Sequence, residues 1–239
     1  MTLFDMRMIL EENKKSFLKH IFDLLFIIKW YFFGRLKIGR IKRKQEAMSL
    51  FNKHINNLSK GSIVIDAGAN VGDFSKIFLD KGFTVYAFEP DPIALAEFKK
   101  KISINDNLTL YDSAIGLNDS KQKLFRYRKF DIQNPYSTQG SSLLSYRSGS
   151  GKPFVEIKVI NFIKFLKSFD KTIALLKMDI EGSEVEIINS IIENNLHHNI
   201  EEIFVETHER FSHKLALETT KLRLRIQENK IYNINLNWV

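Results

Sequence analysis

Residues 62–74, Ser-Ile-Val-Ile-Asp-Ala-Gly-Ala-Asn-Val-Gly-Asp-Phe, constrain the fold more than any other stretch of the chain. Ile63, Val64 and Ile65 form an unbroken β-branched run, and a strand that is apolar on both faces is one covered on both faces, as in a parallel sheet flanked by helices. Asp66 closes the run. Gly68 and Gly72 then permit a tight strand-to-helix turn whose backbone N–H groups can approach a ligand with no Cβ in the way. Phe74, Ile77 and Phe78 follow at helical spacing, and Asp73 is placed to cap the new helix.

The same alternation continues along the chain. Residues 83–89 read as a second strand, Pro92 can occupy the first turn of the next helix, and residues 108–111 read as a third strand. Residues 114–116 and 121–128, separated by Leu117-Asn-Asp-Ser120, are expected to pair as a hairpin. Residues 131–153 are turn-rich and weakly periodic, the pattern of a functional loop, here expected over the active site. Beyond it come a strand at 154–160, a short helix at 162–169, and the apolar run Ile173-Ala-Leu-Leu-Lys-Met178, expected as a central strand ending in Asp179. A helix at 183–194, a strand at 203–205, a helix at 214–227 and a terminal strand near 231–236 complete the pattern. Strands alternating with helices at this spacing predict an α/β fold with a doubly wound, mostly parallel sheet.

Charge divides the chain in two. Residues 1–44 hold eleven Lys/Arg against four Asp/Glu, whereas residues 45–239 hold 25 against 24. A basic amphipathic helical extension (1–44) is therefore expected ahead of a nearly neutral domain (45–239). The most apolar run, residues 16–33, carries Lys19, Asp23 and Lys29 within it and is followed by Arg35, Lys37, Arg40, Lys42, Arg43 and Lys44. It is shorter and more charged than the roughly 20 apolar residues a membrane span needs, so no span is expected. Its pattern is that of a helix lying on an anionic membrane surface, with residues 16–44 as the contact; the competing expectation is a helix packed on the core or on a partner chain. A cytoplasmic, membrane-associated location is the expectation, and the absence of cysteine excludes disulfides and thiolate metal sites. Nucleic acid is not an expected partner, because the positive charge sits in an apolar helix rather than around the catalytic residues.

The chemistry gathers at strand ends. Glu89 stands at the end of the second strand, twenty-one positions after Gly68, where an acid accepts hydrogen bonds from ribose hydroxyls. A dinucleotide pattern starting at Gly68 would require glycines at 70 and 73, where this chain has Asn70 and Asp73, and an acid at the helix start repels a pyrophosphate. S-adenosylmethionine has a ribose but no phosphates, and its ammonium and sulfonium suit Asp66, Asp73 and Glu89. Asp179 and Glu181 stand at the central strand end beside the switch point, and Glu206 and His208 stand two apart after a later strand. These four are the candidate bases for proton removal from a hydroxyl. They are also the set that would hold a divalent cation, although none is expected. Ser183 and Glu186 have capping-box spacing, which reads Glu184 and Glu186 as first-turn acids with no chemical role.

Val64-Ile-Asp-Ala-Gly-Ala-Asn-Val-Gly-Asp73, Val85-Tyr-Ala-Phe-Glu-Pro-Asp-Pro92, Ala114-Ile-Gly116 and Lys177-Met-Asp-Ile-Glu-Gly-Ser-Glu184 together resemble the FkbM family of S-adenosylmethionine-dependent methyltransferases. The resemblance runs from about residue 60 to 210 and implies a class I, Rossmann-like methyltransferase fold. It implies methylation of a hydroxyl on a small-molecule or glycan acceptor. By position, Asp66, Gly68, Asn70, Gly72 and Glu89 would hold the methionine and ribose ends of the cofactor, with Asp112 and Ser113 near adenine. Where relatives often carry a Leu-Asp-Asp-like turn this chain has Phe162-Ile163-Lys164, so no role is carried onto that turn.

Overall fold

A computed structural model describes residues 18–19, 21–31, 37–103, 105–127, 130–131, 133–144 and 153–238. Nine strands are described: β1 (Ile63–Ala67), β2 (Thr84–Phe88), β3 (Leu108–Tyr111), β4 (Ser113–Gly116), β5 (Ser120–Phe125), β6 (Phe154–Asn161), β7 (Ile173–Met178), β8 (Ile200–Glu206) and β9 (Ile234–Trp238). The helices are α1 (21–31), α2 (Lys37–Asn57), α3 (Asp73–Asp80), α4 (Pro92–Lys101), α5 (Phe162–Lys167), α6 (Glu184–Glu193) and α7 (His213–Glu228). Six strands form one sheet in the order β3-β2-β1-β7-β8-β9, and every pairing in it is parallel. The expected doubly wound architecture is therefore present. The terminal strand, too, joins in parallel.

Burial explains the strand sequences. All six residues of β7 are buried, as a central strand covered on both faces requires. Alternate residues of β1 supply opposite layers. Ile65 and Ala67 pack with Phe88, Phe162, Ile187 and Ile203, while Val64 packs with Phe51, Phe78, Phe98 and Trp238. Each such fully buried large apolar side chain contributes about 1.5–3 kcal/mol of transfer free energy.

Local caps set the helix starts. Asp91 accepts a hydrogen bond from the Ile93 N–H at 2.9 Å with Pro92 in the first turn of α4, and Ser212 accepts from the Leu215 N–H at 3.1 Å to start α7. Asp73 is not a cap. Gly72, left-handed at φ 84°, is the N-cap of α3, and Asp73 turns outward to pair with Lys101. Helix α2 begins at Lys37 and runs through the 44/45 division, so the basic segment enters the core as a continuous helix.

The expected hairpin does not form. β6 lies between β4 and β5, parallel to the first and antiparallel to the second, in a separate three-stranded sheet. The turn at 117–119 is fastened to β6 instead, since Asp119 accepts the Asn161 N–H at 2.8 Å. No described helix is long and apolar enough to cross a membrane.

Candidate active site

At the C-terminal ends of β1, β2 and β7 the sheet opens into a cavity of about 460 Å³. That is the size range of small-ligand pockets. Its floor is the glycine turn. The N–H groups of Gly68 and Ala69 both donate to the Phe88 carbonyl, at 3.0 and 2.9 Å, which ties the end of β1 to the end of β2. Gly68 has φ 85°, and a Cβ there would stand 1.8 Å from the Asp179 carbonyl oxygen. No other residue fits that position. Asn70 also adopts a left-handed conformation, at φ 49°.

Beneath the turn, the Lys177 ammonium donates to the Gly68 carbonyl at 2.8 Å and pairs with Asp66 at 3.1 Å. Burial works against the charged ammonium, yet Asp66 and Asp179 hold its pKa above the ordinary lysine value. Asp66 is fully buried and accepts from the Ser75 hydroxyl at 2.7 Å. It braces the turn from below. Gly68, Asn70, Asp73, Glu89 and Ser113 line the cavity, whereas Asp112 is largely exposed beside Lys158 at 3.8 Å, outside the lining.

Glu89 accepts from the N–H groups of Asn70 at 2.8 Å and Asp91 at 2.7 Å. Burial pushes its pKa to about 8; the Asn70 bond and the Lys177 charge pull down, and Asp66 and Asp179 push up. The Asn70 side chain donates to Thr138 at 2.9 Å, and Thr138, Gln139, Gly140 and Ser141 complete the wall. The described part of the turn-rich loop thus covers the pocket, while residues 145–152 lie outside the described residues.

Asp179, Glu181, Glu206 and His208 converge. His208 Nε2 is 3.0 Å from Glu181, 3.7 Å from Asp179 and 4.0 Å from Glu206, and its Nδ1 is 2.9 Å from Glu184. The three pocket acids line the cavity; His208 is buried behind them. Burial alone would strip the imidazole of its proton, but Glu184 and Glu181 hold its pKa well above 6.5. Burial raises the Asp179 pKa to about 7, with Glu206 and Glu181 adding to the effect and Lys177 and His208 opposing it. Glu181 sits left-handed at φ 61° and is followed by Gly182 at φ 123°, a strained turn of the kind found where a site fixes a side chain.

Glu184 was the residue least legible from its spacing. Ser183 makes no side-chain cap, and Glu184 instead turns inward, buried, accepting from the Ile180 and Gly182 N–H groups at 3.1 Å each. Burial raises its pKa, but His208 and backbone N–H bonds, that of Gly182 among them, outweigh burial and leave it below the ordinary value. Lys177, the one charge in a buried strand, carried a signal that could have been read: a lone lysine there needs a buried acid.

Asp179, Glu184 and His208 offer donor atoms within 4.8 Å of one another, the spacing of a cation site. Both imidazole nitrogens already face carboxylates, so a cation would have to displace the His208 proton. The buried atoms Asn70 Oδ1, Ser141 Oγ and Asp179 Oδ1 have no hydrogen-bond partner, and all three residues line the cavity. A polar ligand is what such atoms fit.

A family model described as the methyltransferase FkbM domain matches residues 66–229, more than half of the chain. A methyltransferase of Sordaria araneosa, sdnD, is 23% identical over 196 residues, covering 66% of this chain and 72% of its own.

Proposed function

The chain belongs to the FkbM methyltransferase domain family, and from that membership we propose that it transfers a methyl group from S-adenosylmethionine to a hydroxyl oxygen, the hydroxyl of a sugar in a glycan or glycolipid precursor. The observation that carries the reading is the acid-walled cavity beside the glycine turn, with Glu89 at one strand end and Asp179 at another. When bound, the cofactor supplies an electrophilic methyl on a sulfonium. The cavity-lining stretch Gly68–Val71 and the Glu89 carboxylate are the groups that would hold it, and the pocket acids offset its positive charge. Asp179 is the proton acceptor for the hydroxyl, because a group whose pKa lies near 7 is partly ionised at neutral pH and basic enough to take a proton. His208 does not take that role: already protonated, it orients Glu181.

Calorimetry on the purified protein is expected to give a micromolar Kd for S-adenosylmethionine, the range typical of enzyme substrates. No heat of binding to the folded protein would overturn the proposal. The ionised form of Glu89 is the one that accepts ribose hydroxyls, so affinity is expected to tighten between pH 6 and pH 9 with a midpoint near 8. Ionisation of Asp179 beside a sulfonium acts in the same direction. Chelation is expected to leave the single-turnover rate unchanged, since the imidazolium already supplies the counter-charge to Glu181 and Glu184. A rate lost to chelator and restored by magnesium would assign that charge to a cation. Mass spectrometry of cell-surface glycans with and without the gene identifies the acceptor.

A further inference from the structure

Helix α1 presents its apolar side outward. At 100° per residue, Ile21, Phe22, Leu24, Leu25 and Ile28 fall within an arc of roughly 160°, with Lys29 as the one charge in it. All five are exposed, Phe22 at 69% and Leu25 at 56%. The opposite side faces the domain through polar and aromatic contacts. Trp30 stacks against the guanidiniums of Arg223 at 4.3 Å and Arg43 at 5.2 Å, Tyr31 shares a hydrogen bond with His213 at 2.6 Å, and Lys19 pairs with Glu228 at 2.6 Å. A helix docked only for stability would bury the leucines and leave the polar contacts outside.

We propose that this outward face is a docking surface for an anionic lipid bilayer, with α1 lying in the interface plane and the basic sequence that follows it adding electrostatic attraction. Charge selects this occupant. Residues 1–44 carry a net charge of +7, six of their cations lie between Arg35 and Lys44, and the Lys42 and Lys44 side chains are exposed. A second copy would bring two such segments together and repel. An anionic surface turns the same charge into attraction, and aromatic and aliphatic side chains beside Lys/Arg are what an interfacial helix uses. The inference stands on the helix and the basic sequence around it and is independent of the methyl-transfer reading.

The test is co-sedimentation of the full chain with vesicles of phosphatidylcholine alone and of phosphatidylcholine with phosphatidylglycerol. Binding to the anionic vesicles is expected to be about tenfold tighter or more, and to weaken at high salt. The double variant Phe22→Glu, Leu25→Glu changes only solvent-facing side chains and is expected to keep its thermal unfolding midpoint while losing vesicle affinity by about tenfold or more. Equal sedimentation of variant and parent, or none by either, would overturn the proposal. A concentration-dependent dimer that the double variant abolishes, with no vesicle binding by the parent, would also overturn it and assign the face to a second copy.

Discussion

Asp179→Asn is expected to slow single-turnover methyl transfer by about 10²–10⁴-fold, the usual contribution of a positioned proton acceptor, while weakening cofactor binding by a far smaller factor, the loss of one charge near the sulfonium. The amide keeps the shape of the carboxylate, and the backbone of residue 179 still donates to the Ala67 carbonyl at 2.9 Å and still abuts Gly68. What it loses is the ability to take a proton. The parent rate should fall as pH drops below about 7, because burial and the Glu206 charge raise the Asp179 pKa to that value and the protonated form cannot act as a base. The variant should lack this limb. An unchanged rate, or a variant with the same limb near 7, would move the base to Glu206, the neighbouring carboxylate on the cavity wall.

How much of this was legible before the structure depends on whether the determining contacts are local. β1, the glycine turn and β7 announce themselves, since a doubly covered strand must be apolar throughout and a close approach such as Gly68 to Asp179 admits no Cβ. The convergence of Asp179, Glu181, Glu206 and His208 also follows, because a parallel sheet puts the C-terminal ends of β7 and β8 side by side. Pairing in the small sheet is different. Residues 117–120 carry hairpin-like turn chemistry, but the partner of β5 is β6, some thirty residues on, and no local signal names it. Asp73 illustrates a related failure: capping spacing was correct by one residue, and the left-handed Gly72 took the position instead. For α1, the apolar and polar sides are readable from spacing, but which side docks is not; Arg223, far along the chain, decides it together with Arg43 by bracketing Trp30.

The role of Glu184 escapes local spacing for the same reason, its partner being His208, 24 residues away, and it carries the second large expected effect. Glu184→Ala should lower unfolding free energy by about 3 kcal/mol, the lower end for breaking a buried ion pair, because Glu181 still faces the other imidazole nitrogen. Glu184→Gln separates two contributions. Its amide oxygen can still accept from the Ile180 and Gly182 N–H groups, so the turn carrying Glu181 is kept, but the charge that holds the His208 proton is gone. The pH dependence follows from the direction of each shift. Glu184 lies below its ordinary 4.5, so its share of stability is present above 4.5 and lost as pH falls through its folded value. His208 lies well above 6.5, so its share is present below 6.5 and lost as pH rises through its folded value. The gap between parent and Glu184→Gln in urea unfolding should therefore be widest from about pH 4.5 to 6.5 and narrow toward alkaline pH. A gap that is constant from pH 5 to pH 9 would mean that Glu184 acts by packing and backbone bonds alone. With the turn kept and the imidazolium weakened, Glu184→Gln should also lower turnover more than it weakens cofactor binding, the signature of a residue that positions Glu181 rather than one that touches the cofactor.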